Sequence, residues 1–126
     1  MARAVTAVRG PVSAEAVLAK ATMAAARRLG LSHRDLAGVL GTSEASISRL
    51  SRDRPLRAGR GEAELAALFV RLFRSLDALT GGDEAKARAW FTAHNHHLGA
   101  VPAERVQSVE GLVDVVQYLD AIRGKL

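Results

Sequence analysis

The sequence predicts an all-α protein, with an N-terminal helix-turn-helix unit followed by a smaller helical unit. Three observations predict it. Alanine, leucine and valine are abundant while aromatic residues make up 4% of the chain, a composition that favours helices. Apolar residues recur three and four apart through most of the chain. Ser, Asp or Gly stands at the ends of those runs, where helices need capping.

Residues 1–11 read as a flexible lead ending at Gly10-Pro11. Ser13 caps a helix from Ala14 to Leu29, with Glu15 well placed in its first turn. Val17, Leu18, Ala21, Ala25 and Leu29 give that helix an apolar stripe, and Gly30 ends it. Arg27 and Arg28 suit the negative end of its dipole and are also candidates for a DNA backbone.

The stretch Leu31 to Arg52 predicts two short helices joined by a tight turn. Ser32 caps the first, with Asp35 at its third position, and Leu36, Ala37 and Leu40 follow at helical spacing. Gly41 closes it, because glycine enters the left-handed conformation without steric cost. Ser43 caps the second helix, which runs through Ile47 and Leu50. Ala37 is small enough to let that helix cross closely. The face left over is Ser43, Glu44, Ala45, Ser46, Ser48 and Arg49. Short polar side chains let a helix backbone approach the major groove, and arginine reads guanine there. This segment resembles the helix-turn-helix of the Xre/Cro repressor class, although Thr42 stands where a larger apolar residue is usual.

Charge follows the same division. Residues 1–60 hold eleven Lys and Arg against four Asp and Glu; residues 61–126 hold seven against nine. Concentrated positive charge suits phosphates, whose neutralisation releases counterions. Arg49 and Ser46 are the candidates for base edges, with Ser43 on a phosphate or base and Glu44 accepting from a cytosine amino group. Thr42 stands beside them at the turn, and Arg34, Arg52 and Arg54 are assigned to phosphates. The linker SRDRPLRAGRG carries Arg52, Arg54, Arg57 and Arg60, and reads either as a phosphate-contacting arm or as a solvated loop. The domain boundary is expected there, with residues 12–60 binding DNA and residues 61–126 forming the second unit.

Leu65, Leu68, Phe69, Leu72, Phe73, Leu76 and Leu79 mark a long helix from about Glu62 to Leu79. So wide an apolar face serves a core alone, or a core and a subunit contact. Gly81-Gly82 stop it, and Asp83 caps a helix from Glu84 to about Ala93. Trp90 and Phe91 are adjacent and cannot share a face; Trp90 is assigned to the core and Phe91 to core or contact. An irregular loop, His94 to Val101, precedes a short helix from Pro102 through Gln107. Ser108 caps the last helix, Val109 to Ile122, whose inner stripe is Leu112, Val116, Leu119 and Ile122. Arg123-Gly124-Lys125-Leu126 reads as a mobile tail.

From about Asp77 onward the chain resembles the toxin-binding domain of the Xre/MbcA/ParS antitoxin family. The matching residues are Ala85, Trp90, Asn95, Leu98, Gly99, Pro102, the Val109-Glu110-Gly111 step, Val116, Leu119 and Gly124. His94 departs from the pattern, standing where a proline usually precedes the asparagine. The resemblance implies a partner, a RES-domain toxin that consumes NAD, whose active site the C-terminal region of the antitoxin covers. The expected toxin contacts are Tyr118, Ile122, Arg123, Gly124, Lys125 and Leu126. It also implies repression of the protein's own operon through operator DNA. The DNA half is expected to act as a homodimer on half-sites about 34 Å apart. The alternatives are a stand-alone dimeric helix-turn-helix regulator, and an adaptor that keeps the motif only as scaffold.

Other classes find less support. The chain has no cysteine, hence no disulfide framework or thiolate zinc site, which fits a cytoplasmic location. No apolar run approaches the roughly 20 residues of a membrane span, and no signal peptide is expected. Three histidines at 94, 96 and 97 can ligate zinc or nickel, but no carboxylate or cysteine lies close in sequence to complete a shell. No nucleophile elbow, phosphate-binding glycine loop or zinc-protease motif is present, so neither catalysis nor a cofactor is expected.

Overall fold

The structure, a computed structural model, describes residues 13–52, 54–57 and 61–125. The expected lead at residues 1–11, the end of the basic linker at Gly59 and Arg60, and Leu126 lie outside the described residues. Seven helices follow in order among the described residues: α1 Ala14–Leu29, α2 His33–Leu40, α3 Glu44–Leu50, α4 Glu62–Leu79, α5 Glu84–Thr92, α6 Pro102–Arg105 and α7 Val109–Gly124.

The caps are those the sequence marks. The hydroxyls of Ser13, Ser32, Ser43 and Ser108 each accept from the backbone N–H three residues on, as does the Asp83 carboxylate. Each satisfies one of the N–H groups that a helix start leaves free. Gly41 sits at φ 65°, in the left-handed region, and its N–H bonds back to the Ala37 carbonyl.

Helix α4 is the spine. It packs against α7, α1 and α2, while α3 folds onto α2. Phe69, Leu72 and Leu76 on α4, Leu36 on α2, Ile47 on α3 and Leu112 and Leu119 on α7 are buried in one shared core. Short ties join the halves. Arg88 on α5 donates to the carbonyls of Arg28 (2.8 Å) and Arg27 (2.9 Å) at the end of α1. Gln107, before α7, donates to the Asp35 carbonyl of α2 at 3.0 Å.

Several expectations need correction. On α1 the buried face is Ala19, Thr22, Ala25, Ala26 and Leu29, while Val17 is 54% exposed. The face is set by small residues, which let α4 and α5 approach, and the larger Val17 and Leu18 are turned towards its edge. Phe91, left open between core and contact, is the fully buried residue, and Trp90, assigned to the core, is only half-buried at its edge. Helix α6 stops at Arg105, and α7 continues through Gly124. Arg123 and Gly124 therefore form the last turn of a helix, not part of a mobile tail.

Candidate DNA interface and partner-binding surface

Leu36, Leu40, Ile47 and Leu50 are all buried, which locks α3 across α2. The outward side of α3 then presents Ser43, Glu44, Ala45 and Arg49 to solvent, with Arg34 and Arg52 exposed beside them and Thr42 half-buried at the turn. Arg49 Nη2 donates to Ser46 Oγ at 3.1 Å. That bond holds the guanidinium along the helix face without burying it. Ser48 is half-buried, with its hydroxyl 3.4 Å from His33 Nδ1. Two expected contacts fall elsewhere. Ser46 is buried, so its hydroxyl supports Arg49 and does not face outward as a base reader.

Arg54 is the second correction. Its guanidinium meets the Glu62 carboxylate through both nitrogens, Nη1 to Oε1 at 3.1 Å and Nη2 to Oε2 at 3.3 Å. It also donates to the carbonyls of Pro55 (3.0 Å) and Ser46 (3.3 Å). The linker turns back here because Leu56 is buried in the core, and this brings Arg54 over the start of α4. Arg54 is thus a strut between the recognition helix and α4, not an open cation for phosphate. Arg28 is likewise taken up internally, by Asp77 (3.4 Å), Glu84 (3.6 Å) and the face of Phe73 (5.1 Å).

Burial pushes the Glu62 carboxyl up, but the Arg54 hydrogen bonds, the Arg57 backbone N–H and the charges of both arginines outweigh it. The net effect holds the group below its ordinary value of 4.5. A carboxyl lowered by folding stabilises the fold above that ordinary value, and the contribution is lost as pH falls through the lowered one. Glu62→Gln is therefore expected to cost about 2 kcal/mol at pH 7, a typical figure for a hydrogen-bonded charge. The difference from the parent should shrink as pH falls below that ordinary value in thermal unfolding scans, and a cost that does not change with pH would contradict this role for the pair.

The second surface lies on α7 and the loop before α6. Tyr118 stacks between Trp90 (centroids 6.4 Å apart) and His97 (6.0 Å), giving a row of three rings at the surface. Tyr118 lies on a different helix, more than twenty residues from the other two, and no helical spacing joins it to them. Asn95 builds the loop, its side chain accepting from the Leu98 N–H (3.0 Å) and its backbone N–H bonding Ala100 (2.9 Å). Among the described residues no three His, Asp or Glu are grouped as a metal shell. Ile122 is half-buried. Arg123 is exposed and donates to Ser75 Oγ at 3.3 Å, and Lys125 follows the last helical residue, Gly124.

No helix among the described residues is long and apolar enough to cross a membrane. No curated protein matches the chain. Two family models do. One, described as an antitoxin Xre-like helix-turn-helix domain, matches residues 9–71. The other, described as the antitoxin Xre/MbcA/ParS C-terminal toxin-binding domain, matches residues 75–125. Both are described as domains of antitoxins. An exposed polar recognition helix, a second helical unit with a ringed surface and these two matches lead to one conclusion: the chain belongs to the Xre-like antitoxin family, with a helix-turn-helix domain followed by a C-terminal toxin-binding domain.

Proposed function

We propose that this antitoxin neutralises a cognate RES-domain toxin, one that consumes NAD, by covering its active site with the C-terminal region. In the same reading it binds operator DNA as a homodimer in the cytoplasm and represses its own operon. Residues 12–60 form the DNA-binding unit and residues 61–126 the dimerisation and toxin-binding unit. Arg49, Ser43 and Glu44 face the bases, with Thr42 at the turn, and Arg34 and Arg52 hold phosphates. Tyr118, Ile122, Arg123, Gly124, Lys125 and Leu126 meet the toxin.

The observation that carries this reading is the placement of a toxin-binding match directly behind a helix-turn-helix whose outward face is small, polar and open. Arg49→Ala tests it. The operator complex is expected to weaken by about 1–3 kcal/mol with relaxed base specificity, read by titration against operator and random duplexes. The same variant should still neutralise the toxin. Equal loss on both duplexes would make Arg49 a phosphate clamp, and loss of neutralisation would contradict separate faces.

A further inference from the structure

A groove of about 1000 Å³ opens between α1, α4 and α7. Its floor is apolar, with Val17, Leu18 and Ala21 from α1 and Val70 from α4. Its charged lining is mostly cationic: Arg71 and Arg74 from α4 and Arg123 from α7. The one carboxylate among the lining residues, Asp120, is already engaged. It accepts from Ser75 Oγ at 2.9 Å and pairs with Arg71. The groove therefore offers an apolar trough with surplus positive charge. Val17, 54% exposed, is one of two large apolar side chains this open in the described chain, and no internal packing explains it.

We propose that this groove seats an apolar, carboxylate-bearing segment of the partner toxin. The proposal rests on the toxin-neutralising reading above and names a surface for it. Charge selects this occupant over two others. A second copy placed groove to groove would set arginine against arginine. Residues 1–12 of this chain carry Arg3 and Arg9 and no acidic residue, so they have the wrong sign. A DNA backbone would match the arginines but leave the floor of Val17, Leu18 and Val70 unused. The groove is also continuous with the chain end, because Arg123 and Gly124 line it. A toxin whose active site is covered by residues 123–126 lies beside this trough, and a neighbouring acidic segment of it can enter. Burying apolar area and pairing two carboxylates with Arg74 and Arg123 would then supply affinity that a short tail lacks.

Val17→Glu and Arg74→Glu test the proposal. Both side chains stand open to solvent, so the fold is expected to persist, as the thermal midpoint will show. Each is expected to lower toxin affinity at least tenfold, and the double variant at least a hundredfold, with operator affinity unchanged. Parent-like toxin affinity in the double variant would overturn the groove assignment and leave the toxin-neutralising reading standing. Loss of operator affinity instead would assign the groove to DNA and overturn the proposal. Failure of the unaltered chain to bind the toxin at all would overturn that reading and the proposal together.

Discussion

Removing residues 123–126 is expected to abolish neutralisation of the toxin at equal stoichiometry while operator binding stays at the level of the full chain. The described part of this segment is not a loose tail. Arg123 and Gly124 complete the last turn of α7, and Arg123 is bonded to Ser75 on α4. Lys125 follows the last helical residue and is exposed. In the proposed reading, the exposed cations Arg123 and Lys125 are what the toxin's cleft meets. Comparing three chains separates the contributions: deletion of 123–126, deletion of 125–126 alone, and Arg123→Ala. If the shorter deletion is as damaging as the longer one, Lys125 and Leu126 block the site and Arg123 only anchors them. If the longest deletion still silences the toxin, the end of the chain has no part in it. The deletions lie far in sequence from the capped helices α2 and α3, so a loss of operator binding would mean a collapsed fold and not a lost plug.

Gly111→Ala is expected to be the most damaging single substitution outside the core. Gly111 sits in the first turn of α7, where its N–H bonds the Ser108 cap. A Cβ added there would stand 1.8 Å from the Arg105 carbonyl oxygen and 2.8 Å from the Arg105 carbonyl carbon. Those atoms are backbone at the end of α6, so no side chain can swing away; α6 itself has to move. Overpacking of this kind costs about 3 kcal/mol, at the upper end of the usual range. For a chain of this size that lowers the thermal midpoint by on the order of 10 °C. Circular dichroism melts check it, and an alanine variant as stable as the parent would mean that α6 yields freely. The expected match of the Val109-Glu110-Gly111 step to the antitoxin family thus has a local physical reason. The two helices touch through a position that has no side chain.

What could be read from the sequence was whatever is local. Ser13, Ser32, Ser43, Asp83 and Ser108 each announce a helix start within three residues, and the structure caps all five helices so. The apolar residues of α2 and α3 fall at spacings that leave one polar face, so the outward position of Ser43, Glu44 and Arg49 was legible too. What could not be read depends on tertiary approach. Arg54 and Glu62 are separated by a linker with Pro and Gly, and no helical spacing relates them; only the burial of Leu56 brings them together. Arg28 looked available for DNA because nothing local opposes it, yet Asp77 and Glu84 arrive from the far half of the chain. Ser46 has a polar side chain on a short helix, and it is buried, with Arg54 of the linker brought onto its carbonyl. Trp90 and Phe91 show the same limit. Adjacent positions on a helix face different ways, and nothing local says which one enters the core. The sequence assigned Trp90 to the core and left Phe91 open between core and contact, whereas the structure buries Phe91 and leaves Trp90 half-buried, stacked on Tyr118.

The most direct test of the account measures the Arg49→Ala chain and the chain lacking residues 123–126 side by side against both ligands, operator DNA by titration and the toxin by the NAD consumption proposed for it. A crossed pattern is predicted. Arg49→Ala loses the operator and still silences the toxin, while the shortened chain holds the operator and leaves the toxin active. Two folded variants that fail together, or that both keep both activities, would contradict a protein whose two faces bind different partners.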